Sequence, residues 1–243
     1  MFSKLNKTGI NTLVYCQPKT KYTILVDNQS HVFSRIFEGK IWKTISNASG
    51  KYLAIEVRDE SKHQVSFFIL NTYERTWLWD EITFEEQWWI NLQSFSEQTL
   101  QFVYYEDGQS PEQKQHLTLD IHSQVVKEEV ITEVDSTIQP PAHYLENSEH
   151  FTTVSKFLQQ KFNISPVKAV DYLENQGLIV ISYYLWQKEH LANFLLMIDV
   201  SGTKKSHILL ADNLKSIGID TFFMVESSLY TIRDKAELLI YDI

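Results

Sequence analysis

The sequence predicts an all-β chain, and three observations carry that reading. Aromatic residues make up 13% of the chain and apolar residues 43%, a composition that suits pleated, half-buried surfaces. The apolar residues come in short runs of strand length, each ended by polar or turn residues. An apolar run closed by Asp or Asn also recurs down the chain, at Asn71, Asp120, Asp199 and Asp242. The spacing is about 40–50 residues apart from one interval nearly twice as long, a period that belongs to propeller blades of four antiparallel strands. The expected architecture is therefore a propeller-like array of about five antiparallel blades. The third of these is expected to be degenerate and partly replaced by a helix.

Taken in order, the first strand-like runs are "KYTILVD" and "HVFSRIF", which have no blade of their own. The first full unit reads "KIWKTI", "LAIEVRD", "QVSFFILN" and "RTWLW"; the second reads "QWWINL", "LQFVYYED" and "HLTLD". Residues 136–166 break the pattern. Phe151, Val154, Phe157, Leu158 and Phe162 recur at helical spacing, Ser148 is a suitable N-cap, and Pro166 lies past the end. These signals predict one helix over 149–162, with Phe157 and Leu158 buried and Lys156 and Gln160 exposed. Strands resume with "VKAVDYL", "LIVISYY" and "LLMID", then "GIDTFF", "LYTIRD" and "LLIYD". The last unit stops at its third strand, and an open sheet edge there would expose unpaired backbone groups. A strand from 20–38 is therefore expected to pair with 236–243 and close a single domain over 1–243. The runs are heavily apolar rather than alternating, as expected of strands covered on both faces.

The net charge is −9 and the pI about 5.4, and no basic run offsets them, so a nucleic-acid partner is not expected. The longest apolar run, "FLLMI", is too short to span a bilayer, and the N-terminus lacks the apolar core of a signal peptide. A cytoplasmic location without membrane association is expected. The single cysteine, Cys16, excludes an intrachain disulfide. It sits in the apolar run "TLVYCQ", where a buried, inert thiol is expected.

The segments "RIFEGKIWK", "LAIEVRD", "VSFF", "HYLENSEHF", "ISYY" and "DTFF" together resemble an uncharacterised family, a domain of unknown function in Bacteroidetes proteins of about this length. The resemblance covers most of the chain. That family has no assigned activity, so the resemblance implies no site residues. The strand rhythm separately resembles β-propellers in general, which implies architecture only.

Motifs that carry chemistry are sparse. There is no Gly-rich phosphate loop, no G-x-S-x-G and no H-E-x-x-H, so no cofactor and no catalytic residue is assigned. No Cys/His spacing suits zinc. His116 and His122 could share a strand face but lack a nearby third ligand, and no metal site is expected. Glu85 and Glu86 are adjacent, hence on opposite faces of a strand, and read as solvated turn residues. Glu56 and Arg58 are two apart on one strand and share a face, which marks a candidate buried ion pair. Thr44, Asn91, Asp171 and Asp220 precede the second strand of successive units by similar offsets. They are candidate polar residues of a channel or pocket. Trp88 and Trp89 are adjacent, so one is expected to point outwards from its strand. The reading that follows is a non-enzymatic protein-interaction or scaffold module with a protein partner or small ligand. The alternative is a propeller that binds or hydrolyses a small molecule or carbohydrate with channel carboxylates.

Overall fold

The computed structural model describes residues 12–15, 22–25, 31–84, 88–105, 114–127, 136–218 and 220–243. Cys16 and the Glu85–Glu86 pair lie outside them. Among the described residues the chain is all-β, with five antiparallel sheets and a single helix. The elements are β1 (Thr12–Tyr15), β2 (Tyr22–Leu25), β3 (Phe33–Ile36), β4 (Lys40–Ser46), β5 (Tyr52–Asp59), β6 (Gln64–Asn71) and β7 (Thr76–Ile82), then β8 (Ile90–Phe95), β9 (Thr99–Tyr105), β10 (Lys114–Asp120) and β11 (Val126–Lys127). β12 (Ile138–Gln139), β13 (Ala142–Leu145), α1 (Glu149–Phe162), β14 (Val167–Asn175), β15 (Leu178–Gln187), β16 (His190–Asp199) and β17 (Lys204–Leu214) follow, then β18 (Phe222–Val225), β19 (Ser228–Arg233) and β20 (Glu237–Asp242). The chain divides into two compact units. One comprises Met1–Ser30 with Pro140–Thr221, the other His31–Gln139 with Phe222–Ile243.

The second of these units holds three sheets. Two are simple meanders, β4 to β7 and β8 to β11. The third has the order β12-β18-β19-β20-β3. There β3 pairs with β20 from Phe33↔Ile240 to Ile36↔Glu237, extended by Val32 N donating to Ile240 O at 2.9 Å and Phe37 N to Ala236 O at 2.8 Å. β3 thus fills the place after three consecutive strands that β7 and β11 fill in the meanders.

The β4–β7 sheet is covered on both faces, which is why β5 and β6 read as nearly unbroken apolar runs. Alternate residues enter different cores. Ala54, Val65, Phe67 and Ile69 pack with Ile90, Leu92, Leu100 and Phe102 of the β8–β11 sheet. Leu53, Ile55, Phe68 and Leu70 pack with Phe223, Tyr230, Leu238 and Ile240. Trp79, 2% exposed, crosses the first seam and donates its indole N–H to Ile121 O at 2.7 Å.

The recurring Asp or Asn has a local cause. β6, β10 and β16 each end on such a residue, and its Oδ1 accepts backbone N–H groups from the turn that follows. Asn71 takes Tyr73 and Glu74, Asp120 takes His122 and Ser123, and Asp199 takes Ser201 and Thr203. These are Asx-type turns. Asp242, at the end of β20, pairs with Arg75 instead.

In the other unit, β13 to β17 form one five-stranded sheet in chain order, and β1 pairs with β2 in a separate sheet. Between β11 and β14, in the long interval from Asp120 to Asp199, the described residues form β12, β13 and α1, and α1 is the connection from β13 to β14. Ser148 caps the helix by accepting from Phe151 N at 3.1 Å. Asn163 ends it in the left-handed conformation at φ 57°. Lys156 and Gln160 are exposed. Leu158 is buried, but Phe157 is only partly so, and Phe151 takes the second buried place. Residues 151 and 158 are about two helical turns apart and share one line along the helix, whereas 157 stands about 100° around from 158.

Phe151 and Leu158 join a core with Tyr183, Phe194 and Leu196. Beside them His207 stacks on Tyr183, ring centroids 5.9 Å apart, and its Nε2 lies 2.5 Å from the Tyr183 hydroxyl. Burial pushes the imidazole down from 6.5 to about 4. The native state therefore binds fewer protons than the unfolded chain between those values. Stability tied to His207 is fully present above pH 6.5 and is lost as pH falls towards 4, by at most about 3 kcal/mol. His207→Gln is expected to flatten this part of the acid limb. The check is a set of urea unfolding curves for both proteins at pH 7 and pH 4.5, and equal acid losses would contradict it.

Candidate functional site

Among the described residues each unit carries a polar cluster built around a buried carboxylate. In the unit containing β5, Glu56 and Arg58 project from alternate positions of that strand into the seam between two sheets. Glu56 is fully buried. Its Oε1 accepts from Arg58 Nε at 2.8 Å, and its Oε2 accepts from Leu92 N at 2.8 Å. Burial raises the carboxyl, against the Leu92 N–H and the Arg58 charge, which favour its ionised form. Arg58 also donates to Trp88 O and Ile90 O, both at 3.2 Å, and to Asn91 Oδ1 at 2.7 Å. The pair therefore ties β5 to β8 and its approach.

The guanidinium has a second role at the surface. It lies 5.2 Å from the Trp42 ring centroid and 5.3 Å from that of Trp88. His63, in the β5–β6 turn at φ 54°, stacks on Trp88 with centroids 4.3 Å apart and planes 17° apart. Trp42, Arg58, Trp88 and His63 are thus linked ring to cation to ring to ring. Trp42 is 63% exposed, so the row opens to solvent; Trp89, which follows Trp88 in sequence, is 45% exposed. Exposed indoles held in place by a cation are suited to recognition, because the side-chain entropy is already spent.

In the other unit, Asp171 on β14 is 3% exposed. Its Oδ1 lies 2.6 Å from Nδ1 of His143, its register partner on β13. With the carboxylate ionised, Nδ1 is the donor and Nε2 of a neutral ring is left as an acceptor. Asp171 Oδ2 has no direct hydrogen-bond partner, and neither has the buried Asn193 Oδ1. Between them sits Ser182, opposite Asp171 in register, whose hydroxyl accepts from Asn193 Nδ2 at 2.9 Å. Burial raises the Asp171 carboxyl; His143 and the nearby Ser182 hydroxyl pull it down, and the charge of Asp220 raises it further. Tyr184 adjoins, pushed up to about 12 by burial and by the Asp171 charge.

Of the sequence candidates, Asn91 is engaged by Arg58, and Thr44 lies half-buried on β4 opposite Ile55. In the other unit the charge of the exposed Asp220 raises the Asp171 carboxyl. His122 packs edge-on against Tyr52 at 5.7 Å, and His116 stands exposed opposite Val103. Among the described residues no group of three or more His, Cys, Asp or Glu is placed to hold a metal ion. None of their helices is long and apolar enough to cross a membrane. Sequence reading missed Trp42, His63 and His143. His143 falls in the short run "AHYL", where no local signal marks it.

Residues 45–127, about a third of the chain, match a family model described as a domain of unknown function, DUF4905. The match takes in β5 to β11 and the last two residues of β4, and includes Glu56, Arg58, His63 and Trp88, whereas Trp42 and Thr44 lie before it. It accords with the resemblance to an uncharacterised family. No curated protein matches the chain. Among solved structures, the chain is similar to the β-propeller domain of the Trilobed protease from Pyrococcus furiosus, described as having an open velcro topology, at 14% identity and a TM-score of 0.28. It is also similar to a eukaryotic initiation factor, at 9% identity and a TM-score of 0.28. Each likeness covers 84% of this chain, and the chain spans 55% of each of those structures.

Proposed function

We propose that the protein is a non-enzymatic interaction module that binds a protein partner, and that it acts in the cytoplasm. The observation that carries this reading is the solvent-open row of Trp42, Arg58, Trp88 and His63, with an exposed Trp89 next to Trp88 in sequence. Tryptophan and arginine are the residues most often found at interface hot spots. The row is held by a buried ion pair, so it presents a pre-ordered face. The domain reading belongs to this proposal: one propeller-like domain over 1–243, closed by the N-terminal strand from 20–38, for which the β3–β20 pairing is the support. The test is capture from native lysate with the full chain and with a Trp42→Ala, Trp89→Ala double variant, after equal melting temperatures are confirmed. A partner held by the wild type and lost by the variant supports the reading. Repeated failure to capture any partner, or equal capture by both, sinks it.

A second reading has its own support. The half-satisfied Asp171, with Asp220 acting on it, suits a site for a small molecule or carbohydrate, either bound or hydrolysed. A glycan and small-molecule panel tests it, with Asp171→Asn as the variant that should lose any signal.

A further inference from the structure

We infer that Asp171, Asn193 and His143 form a binding site for a small organic ammonium group. The inference deepens the second reading above and rests on it. The chain supplies its own comparison in its two buried carboxylates. Glu56 is satisfied at both oxygens, by an arginine and by a backbone N–H. Asp171 has a close hydrogen bond at one oxygen only, from a titratable imidazole, and otherwise has the neutral Ser182 hydroxyl nearby. Among the described residues no lysine or arginine pairs with Asp171, while Asp220 adds a second negative charge nearby.

What this site lacks is positive charge and enough donors: the Ser182 hydroxyl has one proton to give, and the Asp171 carboxylate it acts on carries a full charge. Asp171 Oδ2 and Asn193 Oδ1 are both acceptors, both buried and both without partners, and both flank Ser182. A buried acceptor left unpaired costs about 1–3 kcal/mol, so a native site of this kind calls for a donor. A neutral hydroxyl would supply one hydrogen bond and leave the charge unanswered. An inorganic cation would want more carboxylate or histidine ligands than the described residues bring together. A primary ammonium carries three donors and a full charge on a compact head. His143 is the more open member of the pair, its side chain 32% exposed against 4% for Asp171. With Nδ1 engaged by Asp171, Nε2 of the neutral His143 ring is left as a further acceptor.

Calorimetric titration of the full chain tests this with four probes at matched ionic strength: ethylammonium, 1,4-diaminobutane, tetramethylammonium and glucose. The expected result is saturable binding of the first two, at least tenfold weaker binding of tetramethylammonium, which has the charge but no N–H, and at least tenfold weakening of ethylammonium in Asp171→Asn. The comparison of ethylammonium with tetramethylammonium uses the wild type alone, so it stands even if the variant folds poorly. Equal binding of the two cations, or full binding retained by a folded Asp171→Asn, overturns the ammonium site. Saturation by glucose alone overturns it while leaving the small-ligand reading intact. No binding of any probe counts against both.

Discussion

Arg58→Met is expected to destabilise the protein by about 3–5 kcal/mol, the usual cost of removing one partner of a buried ion pair. Glu56 is fully buried and the Arg58 side chain 11% exposed, so solvent cannot take over the lost contacts. The variant leaves Glu56 with the Leu92 N–H as its remaining direct hydrogen bond. It also strips the donor from three acceptors on and before β8. Methionine keeps the aliphatic stem, so the loss reports on the guanidinium. Chemical denaturation measures it, and a shift below about 1 kcal/mol would place this pair with exposed surface pairs. Because the same guanidinium sits between Trp42 and Trp88, indole fluorescence should change before the unfolding transition as well as through it.

Deleting residues 1–38 is expected to yield insoluble or partly unfolded protein. The deletion removes β3 and with it the pairing along β20, leaving a bare strand edge open to other chains. It also removes Phe33 and Phe37, which pack with Trp77; Phe37 is 5% exposed and belongs to the core behind β5. Losing one buried phenylalanine costs about 3–5 kcal/mol, comparable to the whole stability of many domains. A truncated chain that stays monomeric with an unchanged cooperative melt would show that β3 is dispensable.

The parts of the fold that were legible in the sequence are those with local causes. Asn71, Asp120 and Asp199 marked strand ends because each closes the turn that follows it with its own side chain. The helix was legible because its spacing and its cap, Ser148, act within one turn. The β5 run announced two covered faces because alternate residues serve two cores. The site was less legible because it depends on contacts across sheets. Arg58 meets Trp88, Ile90 and Asn91 only after β5 and β8 are brought together, and His143 meets Asp171 only through the β13–β14 register. Counting back from the second strands located Thr44 and Asn91 on first strands. Register shifts between Ile41 and Lys43 and between Leu92 and Ser94 mean that equal offsets need not give equal placement.

The functional reading stands or falls on whether a protein docks at the aromatic row. The most direct measurement places a photo-crosslinking amino acid at position 42 and, as a control, at Trp186, which is 46% exposed and has Lys168 over its ring in the other unit. Both proteins are irradiated in native lysate. The account predicts a discrete protein adduct from position 42 and none from position 186. No adduct from position 42, or the same adduct from both positions, would contradict it.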